Sequence, residues 1–257
     1  MAGQLEATYE GPEAVQRRQL TVTMASEVFL AQFHAWTAEM RRIASNRPGT
    51  GACTLASAMQ MWQWTLNHLQ KATDADGSKL YHGQRQGVTF PLADALCWLL
   101  ASRWQILDVL ELETRGGDDP AVAEGLAGTV QFLGDLCHTQ AAQAAGEAQR
   151  ICAELVFGYN RHPAWDDARH TNCFLASELE AYEETMPGIS AFAVDVLGAD
   201  GSHPRKAGPC ADCAGNSDFI RLQNKLVTCL SGSRLAKDRA ADTVSKVMIP
   251  EALDYPA

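Results

Sequence analysis

Apolar positions recur at helical intervals over most of this chain. Pro12 follows Gly11 and suits the first position of a helix, where its missing N–H costs nothing. No breaker then appears before Asn46-Arg47-Pro48-Gly49. In between, Val15, Val22, Phe29, Phe33, Trp36, Met40 and Ile43 are spaced 7, 7, 4, 3, 4 and 3 apart, the stripe that one face of a bundle helix presents. The spacing predicts a single continuous helix, on the order of 50 Å long. Thr50 or Thr54 would start a second, in which Leu55, Met59, Trp62, Leu66 and Leu69 repeat the 4, 3, 4, 3 spacing, and Asp74, Asp76 and Gly77 would end it. The stretch KLYHGQRQGVTF reads as a connector. Pro91 would open a third helix, LADALCWLLASRWQILDVLEL, apolar enough to predict burial on more than one side.

RGGDD ends that helix, with Asp119 placed as an N-cap and Pro120 in the first turn of a new one. The fourth helix runs through AQAAGEAQRICAELVFGY, and its small residues would let a neighbouring helix approach closely. After Tyr159 the periodicity weakens. NRHPAWDDARH and SHPRKAGPCADCAGN read as loops, FLASELEAYEETM as a shorter helix ended by Pro187-Gly188, and ISAFAVDVLGADG as either a short strand or a helix. A last helix from Asp218 to Val247 would carry Phe219, Leu222, Leu226, Leu230, Val244 and Val247, before an extended tail. Four long helices with short connections predict an all-α, antiparallel helical bundle with additional helices and a loop-rich C-terminal third.

Bulk properties narrow the function. The 257 residues suffice for one large domain or two modest ones, and 46% hydrophobic residues support a real core. A net charge of −10 without a Lys/Arg cluster argues against nucleic acid as a partner. No apolar run approaches the ~20 residues that span a bilayer, and Met1 to Glu13 has no apolar signal-peptide core; the expected location is the cytoplasm. Among eight cysteines, Cys97, Cys137 and Cys152 are embedded in apolar helical pattern. They read as small buried hydrophobes rather than as a disulfide framework.

The opening stretch Tyr9-Glu10-Gly11-Pro12, followed by Val15-Gln16-Arg17, resembles the end of the catalytic domain of acyl-CoA dehydrogenases, where a Tyr-Glu-Gly-Thr block precedes an apolar residue, Gln and often Arg. The later segments GVTFPLADALCWLLASR, LVFGYNRHPAWDD and RLAKDRAADTVSKVMIPEALDYP are similar to the long C-terminal extension of a bacterial subgroup of that family. The resemblance implies that residues 1–46 are the end of the catalytic domain and 47–257 a helical C-terminal extension. It implies that Glu10 is the base taking the α-proton of an acyl-CoA thioester while the β-hydrogen leaves as hydride to FAD. Gly11 then matches the substrate-contacting glycine and Gln16 the family's Gln, on the cofactor side. Pro12 departs from the usual Thr, so a hydroxyl placed by the flavin is missing. The chemistry explains the residue type, because burial against an acyl chain raises a carboxylate's pKa toward the strength an α-proton requires.

On the same resemblance the chain would begin where a full enzyme's catalytic part is ending. It would be inactive and flavin-free alone, with an N-terminal acyl-CoA dehydrogenase portion as partner, acyl-CoA as substrate and a homo-oligomer as the assembly. LADALCWLLASR also resembles the family's Leu-Ala-Asp-Met helix and YHGQRQG its preceding Arg and Gly element, as in a degenerate duplicate of the helical domain. Arg85 would be a relic of that element; from the residues alone it reads as a solvated loop arginine. Glu10 likewise has a second reading, as a first-turn acid favoured by the helix dipole. The heptad-like stripes of the first two helices fit a different class of function, a non-catalytic helical interaction or assembly module.

Other constellations carry less. Cys210-Ala211-Asp212-Cys213 supplies two zinc-type ligands where structural zinc takes four. Cys173, His162, His170 and His203 are distant candidates to complete it, and a loop with two thiols is the other reading. His162 and His170 flank Asp166 and Asp167 as a polar cluster rather than a fixed metal geometry. Trp62, Trp64, Trp98 and Trp104 read as core or helix-interface residues rather than a ligand cage. Dinucleotide, P-loop and nucleophile-elbow motifs do not occur.

Overall fold

A computed structural model describes residues 13–74, 77–158 and 217–247. Among the described residues every element is helical, and the one β-type pairing is an isolated bridge between Thr73 and Lys79. The helices are α1 (Glu13–Thr23), α2 (Glu27–Asn46), α3 (Ala52–Lys71), α4 (Gln86–Arg115), α5 (Pro120–Ala123), α6 (Leu126–Phe157), α7 (Ser217–Cys229) and α8 (Ser233–Val247). The chain divides into two compact units, Met1–Tyr159 with Arg221–Ala257, and Asn160–Ile220. The bundle belongs to the first, with helices from both sides of position 46 in it.

The single helix expected from Pro12 to residue 46 is two. Thr21 and Thr23 turn their hydroxyls back onto the carbonyls of Arg18 and Gln19, which favours an end. Ser26 then adopts an extended backbone, and its Oγ accepts the Phe29 N–H at 3.3 Å, a side-chain N-cap that restarts the chain as α2. The break shifts the phase of the stripe. Phe33, Met40 and Ile43 are buried, but Val15 and Val22 stand 60% and 67% exposed.

Helices α2, α3, α4 and α6 form an up-down-up-down bundle. Phe33 on α2 meets Trp62 on α3 with ring centroids 4.7 Å apart, and Arg41 meets Gln60, so the two run antiparallel. Arg103 pairs with Glu39 and Arg47 with Glu113, so α2 and α4 run parallel. Helix α6 returns beside α3 and α4 and, among the described helices, packs on these two more extensively than any other pair packs together. Trp62 is fully buried, and its indole N–H donates to the Leu92 carbonyl at 2.8 Å, tying α3 to α4 across the core.

Burial is distributed differently from the hydropathy pattern. Helix α3 is enclosed nearly all round, its buried set including Thr54, Ser57 and Thr65 beside the apolar residues. Helix α4, expected to be covered on more than one side, leaves Cys97, Trp98 and Trp104 exposed. It also starts five residues before Pro91, which lies inside the helix. Main-chain N–H groups of Val88 and Thr89 bond the Arg85 carbonyl, and Arg85 is ion-paired with Asp74; together these seat the first turn on the connector.

Pro120 opens the short α5 as expected, and the Asp119 main-chain carbonyl receives the Val122 and Ala123 N–H groups. Helix α6 begins beyond Gly125, whose φ is +87°. The last predicted helix is also two, because Gly232 takes φ +83° and folds α8 back against α6. Arg239 on α8 makes two hydrogen bonds to the buried Asp135 carboxylate, one of them 3.0 Å, and Gly232 sits at His138.

A tight junction is at Gly51, between α2 and α3, with φ +77°. A Cβ there would lie 2.8 Å from His138 Cα and 2.9 Å from Ala141 Cβ, both on α6. Gly51→Ala therefore meets two costs at once, the left-handed backbone at about 1–2 kcal/mol for an L side chain and a clash with main chain. The expected result is a loss of stability of at least that amount in chemical denaturation, whereas Gly49→Ala, which meets nothing within 4 Å, stays near wild type.

Candidate functional site

The acyl-CoA dehydrogenase-like motif runs into α1. Glu10, Gly11 and Pro12 lie outside the described residues, and Gln16 and Arg17 lie within them. Helix α1 has an inner and an outer face. On the inner face Arg17 Nε bonds Asp94 Oδ1 at 2.9 Å, the buried Thr21 offers its carbonyl to Tyr81 OH at 2.5 Å, and Met24 just beyond the helix is fully buried. Burial pushes the Tyr81 phenol up to about 12, so it remains a proton donor in that bond through the neutral range. The Arg17–Asp94 pair is about one-third exposed on both sides, a location where an ion pair adds at most ~1 kcal/mol; the buried Met24 contributes the larger share of the docking.

The outer face carries Val15 and Gln16, both exposed, and with Gln19, Leu20 and Thr23 they line an open groove of about 490 Å³. Two carboxamides and a hydroxyl there can donate and accept hydrogen bonds, and no lining side chain titrates near neutrality. A proton acceptor at this face would have to come from elsewhere, the part expected of Glu10. The groove does not by itself fit a flavin. Residues of one helix can contact one side of an isoalloxazine and leave the other side in water.

A second open groove of about 520 Å³ lies where the α2–α3 corner meets the ends of α4 and α6. Its charged lining residues, Arg47 and Glu113, already pair with each other at 2.5 Å. Between the α2 and α4 faces, Arg103 is buried with its guanidinium over both Trp36 and Trp104, 4.8 and 5.1 Å from the ring centroids. Its Nη2 bonds Glu39 at 2.6 Å, and its Nε and Nη1 have no partner among the described residues.

Several residues singled out in the sequence change standing. Arg85, expected as a solvated loop arginine, is half-buried and ion-paired with Asp74 at the start of α4. Trp62 is core, Trp64 stacks on His68 at 5.1 Å, and Trp98 and Trp104 are 36% and 58% exposed rather than packed away. Cys137 and Cys152 are buried as expected, with thiols pushed up to about 11 and about 12 chiefly by that burial. Cys97 is exposed, because it falls on the outer side of α4. Cys173, Cys210, Cys213, His162, His170 and His203 lie outside the described residues, and among the described residues no group of three or more His, Cys, Asp or Glu could hold a metal. Periodicity offers no signal for Arg103, for the Asp135–Arg239 pair, or for a contact between Cys53 and Cys229, 176 positions apart. Comparison with protein families, with characterised proteins and with solved structures finds no match to this chain.

The half-buried His68 and the buried His138 make the bundle sensitive to acid. Burial lowers the pKa of His68, whose Nε2 is enclosed without a partner. Burial also lowers that of His138, with Asp135 opposing and Arg239 adding to the shift. A base with a depressed folded-state pKa contributes stability above its unfolded value, near 6.5, and loses it as the pH falls through the folded value. The urea midpoint is therefore expected to fall between about pH 7 and pH 5. His68→Gln should flatten part of that slope; an unchanged slope would remove His68 as a contributor.

Proposed function

We propose that this chain is the C-terminal helical portion of a flavin-dependent acyl-CoA dehydrogenase. It works in the cytoplasm with an N-terminal acyl-CoA dehydrogenase portion that holds FAD and the acyl-CoA, within a homo-oligomer. Glu10 is the base that takes the α-proton of the thioester, and Gly11 lies against the substrate. The observation that supports this reading is the division of labour along α1. Arg17 and Met24 hold the helix to the bundle, while Val15 and Gln16, five and six positions after Glu10 in sequence, face outward into an open groove. A helix held on one side and exposed at Val15 and Gln16 on the other suits a second catalytic surface that closes over the motif. Gln16 lies on that face, the side on which the other portion would bring the cofactor.

A second reading has its own support. Trp98 and Trp104 on α4, and Val28 at 83% exposure on α2, leave apolar surface on the bundle, as a non-catalytic assembly module would.

Complementation separates the two. The chain mixed with a separately produced N-terminal acyl-CoA dehydrogenase portion should turn over an acyl-CoA, and Glu10→Gln should lower that rate by roughly 10²–10⁴. Turnover unaffected by Glu10→Gln removes Glu10 from the mechanism. A stable complex with no turnover at all supports the assembly module.

A further inference from the structure

The C-terminal end of α7 lies across the first turn of α3. Cys53 Sγ and Cys229 Sγ are 3.5 Å apart, and Ser57 Oγ lies 3.2 Å from Cys229 Sγ. Thr54 Oγ1 donates to the Cys229 carbonyl at 2.5 Å, satisfying one of the acceptors that a helix end leaves open. Both thiols are free; Cys53 is exposed and Cys229 half-buried. The two therefore differ in access while touching each other, the arrangement of an attacking and a resolving thiol. Burial raises the Cys53 pKa, the Cys229 contact adds to the rise, and the Lys225 ammonium one turn before Cys229 opposes it. Cys137 and Cys152, by contrast, are enclosed in the bundle.

We propose that Cys53 and Cys229 are a redox-closable pair that reacts with a low-molecular-weight disulfide of the glutathione class and so fastens α7 to α3. The Cys53 thiol loses its proton to water, and the thiolate attacks one sulfur of the small disulfide. A Cys53 mixed disulfide forms, and one small thiolate leaves. Cys229, deprotonated in turn beside the Ser57 hydroxyl, attacks Cys53 Sγ; the Cys53–Cys229 bond forms and the second small thiolate leaves. Two protein thiols lose two electrons, the small disulfide gains them, and the two protons end on the released thiols. The sulfur atoms need only move from 3.5 Å to the ~2.05 Å of a disulfide. Closure links positions 176 apart, and it ties the hairpin of α7 and α8 to the helix enclosed at the centre of the bundle.

The test uses the full chain, reduced, then exposed to oxidised glutathione, quenched in acid and mapped as non-reduced peptides. Wild type should yield a Cys53–Cys229 linked peptide with no glutathione kept on Cys53. Cys229→Ser should keep glutathione on Cys53, and Cys53→Ser should leave Cys229 largely reduced. Amide exchange in α7 should slow severalfold in the closed wild type and stay unchanged in Cys229→Ser treated alike. The proposal is overturned if wild type retains glutathione on Cys53 as Cys229→Ser does, or if neither thiol reacts. Exchange in α7 that is unaltered by closure overturns the fastening.

Discussion

The bundle depends on how closely three helices can approach one face of α6. Along that face Gly134, His138, Ala141, Ala144, Ala145, Ala148 and Cys152 are buried at short helical steps. The residues are small in the middle and become larger at Ile151, Leu155 and Val156, and α3, α4 and α8 all pack on α6. Small side chains bring backbones together, so that many weak dispersion contacts form at short range, and alanine loses no rotamer freedom in doing so. Gly51 extends the same constraint to the α2–α3 corner, where even one methyl group would collide with His138 and Ala141.

Around this seam the buried polar groups divide into satisfied and unsatisfied. Thr37 and Thr65 bond carbonyls one turn back, so they sit in the core without an open valence. Asp135 is held by Arg239 and by Gln131 at 3.4 Å, which makes a buried carboxylate the point where α8 is anchored; removing the arginine would leave a charge without compensation. His68 Nε2 and Ser102 Oγ are enclosed without a partner among the described residues, and so is part of Arg103. Arg103 is buried between two indoles with one carboxylate partner and two donors unused. Cation–π contact, worth roughly 0.5–2 kcal/mol, offsets part of what the missing bonds cost.

Much of the architecture is legible in the pattern of residues, for a physical reason. The 4, 3, 4, 3 spacing from Leu55 to Leu69 is a burial pattern, and all of those positions are buried. Small residues in the fourth helix indicate close approach, and α6 has it. Breaks are harder to see. Ser26 separates two helices and caps the second through a single hydrogen bond, an interaction that apolar spacing does not register, and so the stripe of spacings takes in Val15 and Val22 although burial does not reach them. Pro91 has the character of a helix start, yet α4 gathers its first turn from the Arg85 carbonyl. The thiol contact joins segments far apart in sequence and comes from the packing of α7 on α3.

The small-residue seam on α6 is most directly tested by enlarging it at its centre. Ala145 is fully buried, and Ala145→Leu would force α6 and its neighbours apart. Chemical denaturation of this variant should show a loss of about 1–3 kcal/mol, the range for overpacking a filled core. A variant as stable as wild type would mean that the interface has room to spare and that close approach to α6 is not what holds the bundle together.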